Sequence, residues 1–468
     1  MINSHFLTGV SVTAYLLGFM FAIFALWRSR TPQGTAAWVV GLISFPFVAI
    51  PAFLVFGRNR FTKYTRKRRQ IDKKVNEVDH HLQKTYNLET NFNLKLQSFK
   101  SIAQSVRQPA FTHKNKIELL INGAQTYKAM LEQIERAENY ILFQFYIFSD
   151  DTTGRLFQDR LIKKASQGVK VYFLYDGIGT RLSRKFIKKM TDAGVHAVAF
   201  KSGKLLDSKI QINFRNHRKI IIVDGKVCFT GGINIGEDYL KVTWRDTHVM
   251  IAGPSVQATQ LSFLKDWNWA NDELLNLNWQ PFEQESSSEV MVLHTGPADE
   301  SEAALLLHIN LINQAKTEVW ISNPYFVPPE GLVNALALAA QRGVDVRIII
   351  PAKSDNKIVD LAAKVYVEKL LLYGVKFFKF MKGFPHQKVM LIDSAFGMVG
   401  STNFDSRSFF INFEIQTVST DALFVSQIQN MLIQDFISCE EVLIKFFDKQ
   451  SVFKQLLSRA ANLVSPML

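Results

Sequence analysis

The chain has 468 residues, 47% of them hydrophobic, with 55 Lys and Arg against 41 Asp and Glu and a formal net charge of +14. That composition excludes wholesale disorder and supports a sizeable core in about two to four domains. Cys228 and Cys439 are the only cysteines, so a disulfide framework and a cysteine-rich metal site are excluded, and both thiols are expected to be inert and buried. The positive balance points to an anionic partner, either nucleic acid or a membrane surface.

The N-terminal end separates from the rest. Phe6 to Trp27 is an uncharged run of 22 residues, long enough as a helix to cross about 30 Å of hydrocarbon. A second uncharged run covers 31–57, its span predicted at about 35–57, with Pro46 and Pro51 expected to kink it or make it re-entrant. Between the two lie Arg28, Ser29, Arg30 and the turn-prone Thr31-Pro32-Gln33-Gly34. A membrane hairpin over 1–57 follows. A cleaved signal peptide fits less well, because no Lys or Arg precedes Phe6 and the second run would stay unexplained. Arg58, Arg60, Lys63, Arg66, Lys67, Arg68, Arg69, Lys73 and Lys74 then face one acid, Asp72. This cluster favours a cytoplasmic side for everything downstream, and it also suits anionic lipid.

Beyond a basic, polar connector over 58–110, one plan runs twice. Ile141 to Tyr146, a helix near 156–166, Gly168 and the strand Val169–Tyr175 form the first pass. Val319 to Ile321, a helix near 332–341, Gly343 and the strand Val344–Ile350 form the second. Glycine at each helix end is the expected C-cap, and strand–helix–strand at this length is a parallel crossover. The polar stretch Glu283–Glu289 marks the boundary, so the repeats are expected over 111–283 and 284–468.

The chemistry sits in two copies of one motif. His217-Arg218-Lys219 runs through four apolar residues to Asp224, and His386-Gln387-Lys388 through four more to Asp393. Each copy continues to a Gly-rich turn ending in Asn234 or Asn403, 17 residues after its His. Asp246 follows His217 by 29 residues and Glu414 follows His386 by 28. On a strand, His and Lys two apart point to one side while the residue between points to the other. Two such strands meeting across a pseudo-twofold would give one pocket two imidazoles and two ammonium groups.

That set suits phosphodiester exchange. One neutral imidazole can attack phosphorus, and the other, protonated, can donate to the leaving oxygen. Lys219, Lys388, Asn234 and Asn403 can stabilise charge on the non-bridging oxygens, and Asp246 and Glu414 can orient the imidazoles as in a triad. No metal and no other cofactor is expected. His217, Lys219, Asp224, His386, Lys388 and Asp393 form the candidate catalytic set. Asp224 and Asp393 stand at the far strand end, however, where bracing a turn or pairing with a buried cation is the expected task. Arg407 is placed either as a phosphate or headgroup ligand or in a structural salt bridge.

These residues resemble the phospholipase D superfamily, and within it the bacterial cardiolipin synthases. The likeness rests on the hairpin with its basic sequel, Phe145-Tyr146-Ile147, Pro324-Tyr325-Phe326-Val327-Pro328, Ala340 to Val346, and Gly400-Ser401-Thr402-Asn403-Phe404-Asp405-Ser406-Arg407-Ser408 running into Asn412-Phe413-Glu414. It spans essentially the whole chain. It implies an α/β fold: two pseudo-symmetric α/β/α repeats forming one bilobal unit behind the membrane hairpin. It also implies a phosphatidyltransferase of the bacterial cytoplasmic membrane, multi-pass, with its catalytic domain on the cytoplasmic side. Two phosphatidylglycerols would be joined into cardiolipin through a phosphatidyl-histidine, with His217 as nucleophile and His386 as general acid. Gln387 departs from the small or hydroxyl residue usual there, and altered packing is expected rather than lost activity.

A nuclease of the same superfamily would use the same histidines, but the membrane hairpin and the absence of an aromatic-interleaved basic stripe speak against nucleic acid. A hydrolytic phospholipase D differs only in what resolves the intermediate, and a lipid-binding scaffold without activity would not need both motif copies intact. Phosphatidylglycerol and an anionic bilayer are the expected partners, with no obligatory protein partner. The stretch Val452–Val464 mixes Leu with Lys454 and Arg459; contact with the bilayer is one reading, and an ordinary packed helix is the favoured expectation.

Overall fold

The computed structural model describes residues 4–28, 32–57, 97–105, 108, 111–200, 214–280, 282, 284–286, 288–297, 299, 301–448 and 451–467. The basic stretch 58–74 and most of the connector lie outside the described residues. Two units are distinct: 1–67 with 202–214, and 68–201 with 215–468.

Among its described residues the first unit holds three helices, α1 (Ser4–Arg28), α2 (Pro32–Ser44) and α3 (Pro46–Phe56). Among the described residues one helix is long and apolar enough to cross a membrane, through Thr8–Trp27 in α1 with a mean hydropathy of 2.0. The second apolar run is not one continuous helix. Phe45, with φ −135° and ψ 58°, separates α2 from α3, and Pro46 opens the new helix at a position needing no N–H donor. Pro51 stays inside α3 without ending it. At 13 and 11 residues, these helices reach only about 20 and 17 Å. A Cβ on Gly18 would come within 2.3 Å of the Leu42 carbonyl oxygen, so glycine is what lets α1 and α2 approach. Phe53 packs its ring against Phe21, Phe24 and Trp38.

The second unit is built on strands. Its first half contributes β1 (Thr112–Ile121), β2 (Tyr140–Phe145), β3 (Lys170–Asp176), β4 (His196–Phe200), β5 (Ile220–Val223), β6 (Val227–Gly231), β7 (Trp244–Arg245) and β8 (Thr247–Ala252). Its second half contributes β9 (Ser288–Thr295), β10 (Glu318–Ser322), β11 (Phe326–Val327), β12 (Asp345–Pro351), β13 (Lys376–Phe380), β14 (Phe384–Pro385), β15 (Val389–Ile392), β16 (Phe396–Gly400), β17 (Phe404–Asp405), β18 (Glu414–Ser419) and β19 (Cys439–Val442).

Fifteen of these form one sheet in the order β19-β13-β12-β10-β15-β16-β18-β9-β1-β8-β6-β5-β2-β3-β4. Read outward from the central β1/β9 pair, β8-β6-β5-β2-β3-β4 on one side matches β18-β16-β15-β10-β12-β13 on the other, so the two repeats face each other about a pseudo-twofold. The predicted crossovers are present: β2 and β3 are parallel around the helix Thr152–Ser166, and β10 and β12 around Glu330–Gln341. Gly168 and Gly343 follow those helices at φ 91° and 87°, where a side chain would be strained. Each half buries its own apolar cluster.

Candidate active site

The apolar strands after each motif, β5 and β15, are buried along their whole length, because they lie inside the sheet with helices covering them. This burial fixes the direction of the residues just before them. His217 and His386 both line one cavity of about 430 Å³, together with Asn234, Asn403 and Arg407. Lys219 and Lys388 lie buried next to them, each ammonium donating to the carbonyl of its own histidine, at 2.7 and 2.6 Å.

The acids are exchanged between the repeats. Glu414 of the second repeat accepts from Nδ1 of His217 at 3.0 Å, and Asp246 of the first accepts from Nδ1 of His386 at 2.7 Å. Main-chain pairing explains the exchange. Asn216 bridges Phe413 in parallel, and β14 pairs in parallel with β7, so that Pro385 lies beside Arg245. The next residue on each chain is then His beside acid. The residue two before each acid also donates to it: Trp244 Nε1 to Asp246 at 3.4 Å and Asn412 Nδ2 to Glu414 at 3.2 Å. With Nδ1–H engaged, Nε2 of His217 is the ring nitrogen left for substrate, whereas Nε2 of His386 lies 3.0 Å from Lys388 Nζ.

Burial sets the charge state of the rings. Desolvation pushes the His217 imidazole down to about 4, with Lys219 and Lys388 acting the same way against the pull of Glu414. Desolvation and then Lys388, whose ammonium lies 3.0 Å from both ring nitrogens, push His386 down to about 4 as well. Burial also lowers Lys388 to about 8 and Lys219 well below the usual lysine range. Desolvation alone would raise both acids, yet the facing His and Lys charges hold Asp246 and Glu414 below the ordinary carboxylate range.

Burial thus favours the neutral form of both imidazoles, and an anion placed beside them raises their affinity for protons. Sulfate titrated into the protein at pH 7 is expected to draw about one proton from the buffer per anion bound. The binding enthalpy measured calorimetrically should then rise with the ionisation enthalpy of the buffer; a buffer-independent enthalpy would contradict this charge state.

Asp224 and Asp393, grouped above with the catalytic set, are not in the cavity. Each sits at left-handed φ, 54° and 52°, in the hairpin turn after its strand. The Asp224 carboxylate accepts from the main-chain N–H groups of Glu138, Asn139 and Tyr140, at the start of β2. Asp393 does the same for Lys316, Thr317 and Glu318 at the start of β10. The motif's third member thus ties its hairpin to the neighbouring strand.

Asp224→Ala strands three donors and is expected to cost about 2–4 kcal/mol of stability, with turnover per folded molecule retained. Thermal unfolding alongside an active-fraction assay checks both halves of that statement. For Asp393, desolvation raises the carboxyl, but the N–H donors of Glu318, Thr317 and Lys316 outweigh it and hold it below the usual value. Its stabilisation is therefore complete above the ordinary carboxylate range and is lost as pH falls through the lowered one.

The residue between His and Lys points away from the cavity in both copies. Arg218 bonds Asp266, and Gln387 bonds Asp435 at 3.1 Å, each 48 residues further on. Gln387 also accepts from Ser322 at 2.9 Å and is fully buried. Arg245 supplies the missing positive charge to Asp435 at 2.8 Å, so glutamine replaces a direct cation without leaving the carboxylate unpaired.

The two asparagines differ. Asn234 is partly consumed in bracing: Oδ1 accepts from Ile147 N at 3.0 Å and Nδ2 donates to the Tyr239 hydroxyl at 2.9 Å. Asn403 Oδ1 is buried and has no hydrogen-bond partner among the described residues.

Sequence reasoning gave no role to Arg215, Tyr239, Trp244 and Asp355, which also line the cavity. Arg215 had a signal: it stands two before His217, in step with the His–Lys alternation. Trp244 and Tyr239 had none, since only the crossed pairing carries them to His386, with Trp244 at 5.0 Å between ring centroids. Tyr146 takes the corresponding place against His217 at 5.0 Å.

Comparison with known proteins agrees with this geometry. Residues 130–267 and 308–436 match the family described as cardiolipin synthase, PLD-like domain. The chain is 38% identical over 480 aligned residues to Cardiolipin synthase A of Pseudomonas aeruginosa, covering 100% of this chain and 97% of that one. It is 37% identical to Cardiolipin synthase A of Pseudomonas fluorescens, covering 99% of each. Among solved structures, phosphatidylserine synthase of Haemophilus influenzae has the same fold with a TM-score of 0.61 at 15% identity, covering 80% of this chain and 100% of that one.

Proposed function

The chain belongs to the cardiolipin synthase family of phospholipase D-like phosphatidyltransferases, and we propose that it joins two phosphatidylglycerols, releasing glycerol through a phosphatidyl-His217 intermediate. Nε2 of His217 attacks phosphorus while the bond to the glycerol oxygen breaks, and His386, protonated as the anionic lipid enters, gives its proton to that oxygen. The hydroxyl of a second phosphatidylglycerol then attacks phosphorus, His386 takes its proton, and the P–N bond breaks to restore neutral His217. Lys219 and Lys388 offset the charge on the non-bridging oxygens.

The single observation that carries this reading is the one cavity holding both imidazoles, each tied by Nδ1 to a carboxylate of the opposite repeat. Tyr146, Tyr239, Trp244 and Tyr325 line the cavity together with the charged groups Arg215, Asp355 and Arg407, which suits a substrate with both a phosphate and a hydroxyl-bearing headgroup. The apolar α1 supports a membrane location, and the basic stretch after residue 57 favours the cytoplasmic face of a bacterial inner membrane for the catalytic unit.

Purified protein in vesicles of radiolabelled phosphatidylglycerol, without divalent metal, should yield cardiolipin and free glycerol in equal amounts. Phosphatidic acid as the main product would assign hydrolysis instead.

A further inference from the structure

The helix Val452–Asn462 is built inside out. Val452, Phe453, Leu456 and Leu463, in the turn just after it, lie along one side and are 82%, 68%, 63% and 83% exposed. The opposite side carries Gln455, Ser458 and Asn462, and this small, polar side faces the protein, with Ser458 only 5% exposed. A helix on a water-facing surface buries its apolar stripe and presents its polar one. Here the order is reversed, and the chain spends a packed interface on its polar face.

The reversed helix is firmly seated. Its N-cap Ser451 accepts from Lys454 N at 3.4 Å. Ala461 packs on the cluster of Val327, Val359 and Ala362, and the following Ser465 hydroxyl meets Tyr366 at 3.1 Å. Val359 is also a wall of the reaction cavity, so the helix stands one layer of side chains from the site. Its apolar face is flanked by two cations of the helix itself, Lys454 and Arg459, both exposed; the groove beside Arg459 is of mixed charge, with Glu368 in it and Lys364 and Lys369 paired with Asp360 and Glu330.

The geometry points to the occupant of this face: the surface of an anionic phospholipid bilayer, entered by Val452, Phe453, Leu456 and Leu463 while Lys454 and Arg459 meet the headgroups. Apolar side chains bordered by Lys and Arg are the pattern of a helix lying in the membrane interface. The contact deepens the phosphatidyltransferase reading and rests on it, since a lipid substrate is what makes a second, local membrane contact beside the cavity useful. It holds the cavity rim at the bilayer, which an anchor at the far end of the chain does not do by itself.

The test uses the full-length protein in vesicles of phosphatidylglycerol and phosphatidylethanolamine. Phe453→Ser with Leu456→Ser should raise the KM for vesicular phosphatidylglycerol about tenfold at unchanged kcat. Turnover of monomeric dihexanoyl-phosphatidylglycerol, which needs no bilayer contact, should stay at the parent level. An environment-sensitive fluorophore on Leu456→Cys, in a Cys439→Ser background, should be quenched by brominated lipid. An unquenched label, or a vesicle KM within twofold of the parent, overturns the inference. So does loss of a dimer in the variant at unchanged KM, which would assign the face to a second copy. Because the quenching needs no turnover, it separates failure here from failure of the parent protein to form cardiolipin at all.

Discussion

His217→Ala is expected to lower cardiolipin formation by at least about 10⁴-fold and to leave no covalent lipid on the protein after acid quench. The loss is that large because Nε2 of His217 is the proposed attacking atom and no other nucleophile is held against Glu414. His386→Ala should be comparably inactive on phosphatidylglycerol but for a different reason, since it removes the proton donor and leaves the nucleophile in place. With a phosphatidyl ester of p-nitrophenol, whose leaving group needs no proton, His386→Ala should release nitrophenol in a burst and accumulate the lipid adduct. His217→Ala should do neither. The reverse pattern would exchange the two roles, and equal behaviour of both variants would remove the division of labour.

The crossed pairing leads to the second large effect. Glu414→Gln keeps shape but removes the carboxylate that orients His217, and Asp246→Asn does the same to His386; each is expected to cost about 10²–10⁴ in kcat. Only Asp246→Asn should be rescued by the nitrophenyl ester, because Asp246 acts through the proton donor of the other repeat. Pairing within a repeat predicts rescue of Glu414→Gln instead, so the two variants on one activated substrate decide between the arrangements. Both should remain folded, as each amide can still accept from the Nδ1–H it faces.

The motif was legible because strands have period two. His and Lys two residues apart had to share a side, and the four apolar residues after them had to be buried. The same spacing put Asp224 and Asp393 beyond the strand, where the structure finds them bonded to the main chain of β2 and β10. The helix Val452–Asn462 was visible as a helix, but its polarity was not, because which face packs inward depends on residues as distant as Val327 and Val359. The break at Phe45 was half visible: Pro46 announced it, and Pro51 announced another that the helix absorbs.

Taken alone, the order of residues determined the two repeats, the atoms able to attack and to protonate, and the apolar character of the first helix, all of which follow from spacing within a few turns or a single strand. Which carboxylate serves which histidine was decided only in three dimensions. Two short parallel pairings, Asn216 with Phe413 and β14 with β7, carry each acid across the pseudo-twofold. Nothing in local periodicity records a contact between residues 197 apart; it exists because the sheet closes the two halves about β1 and β9, and the strand ends meet there.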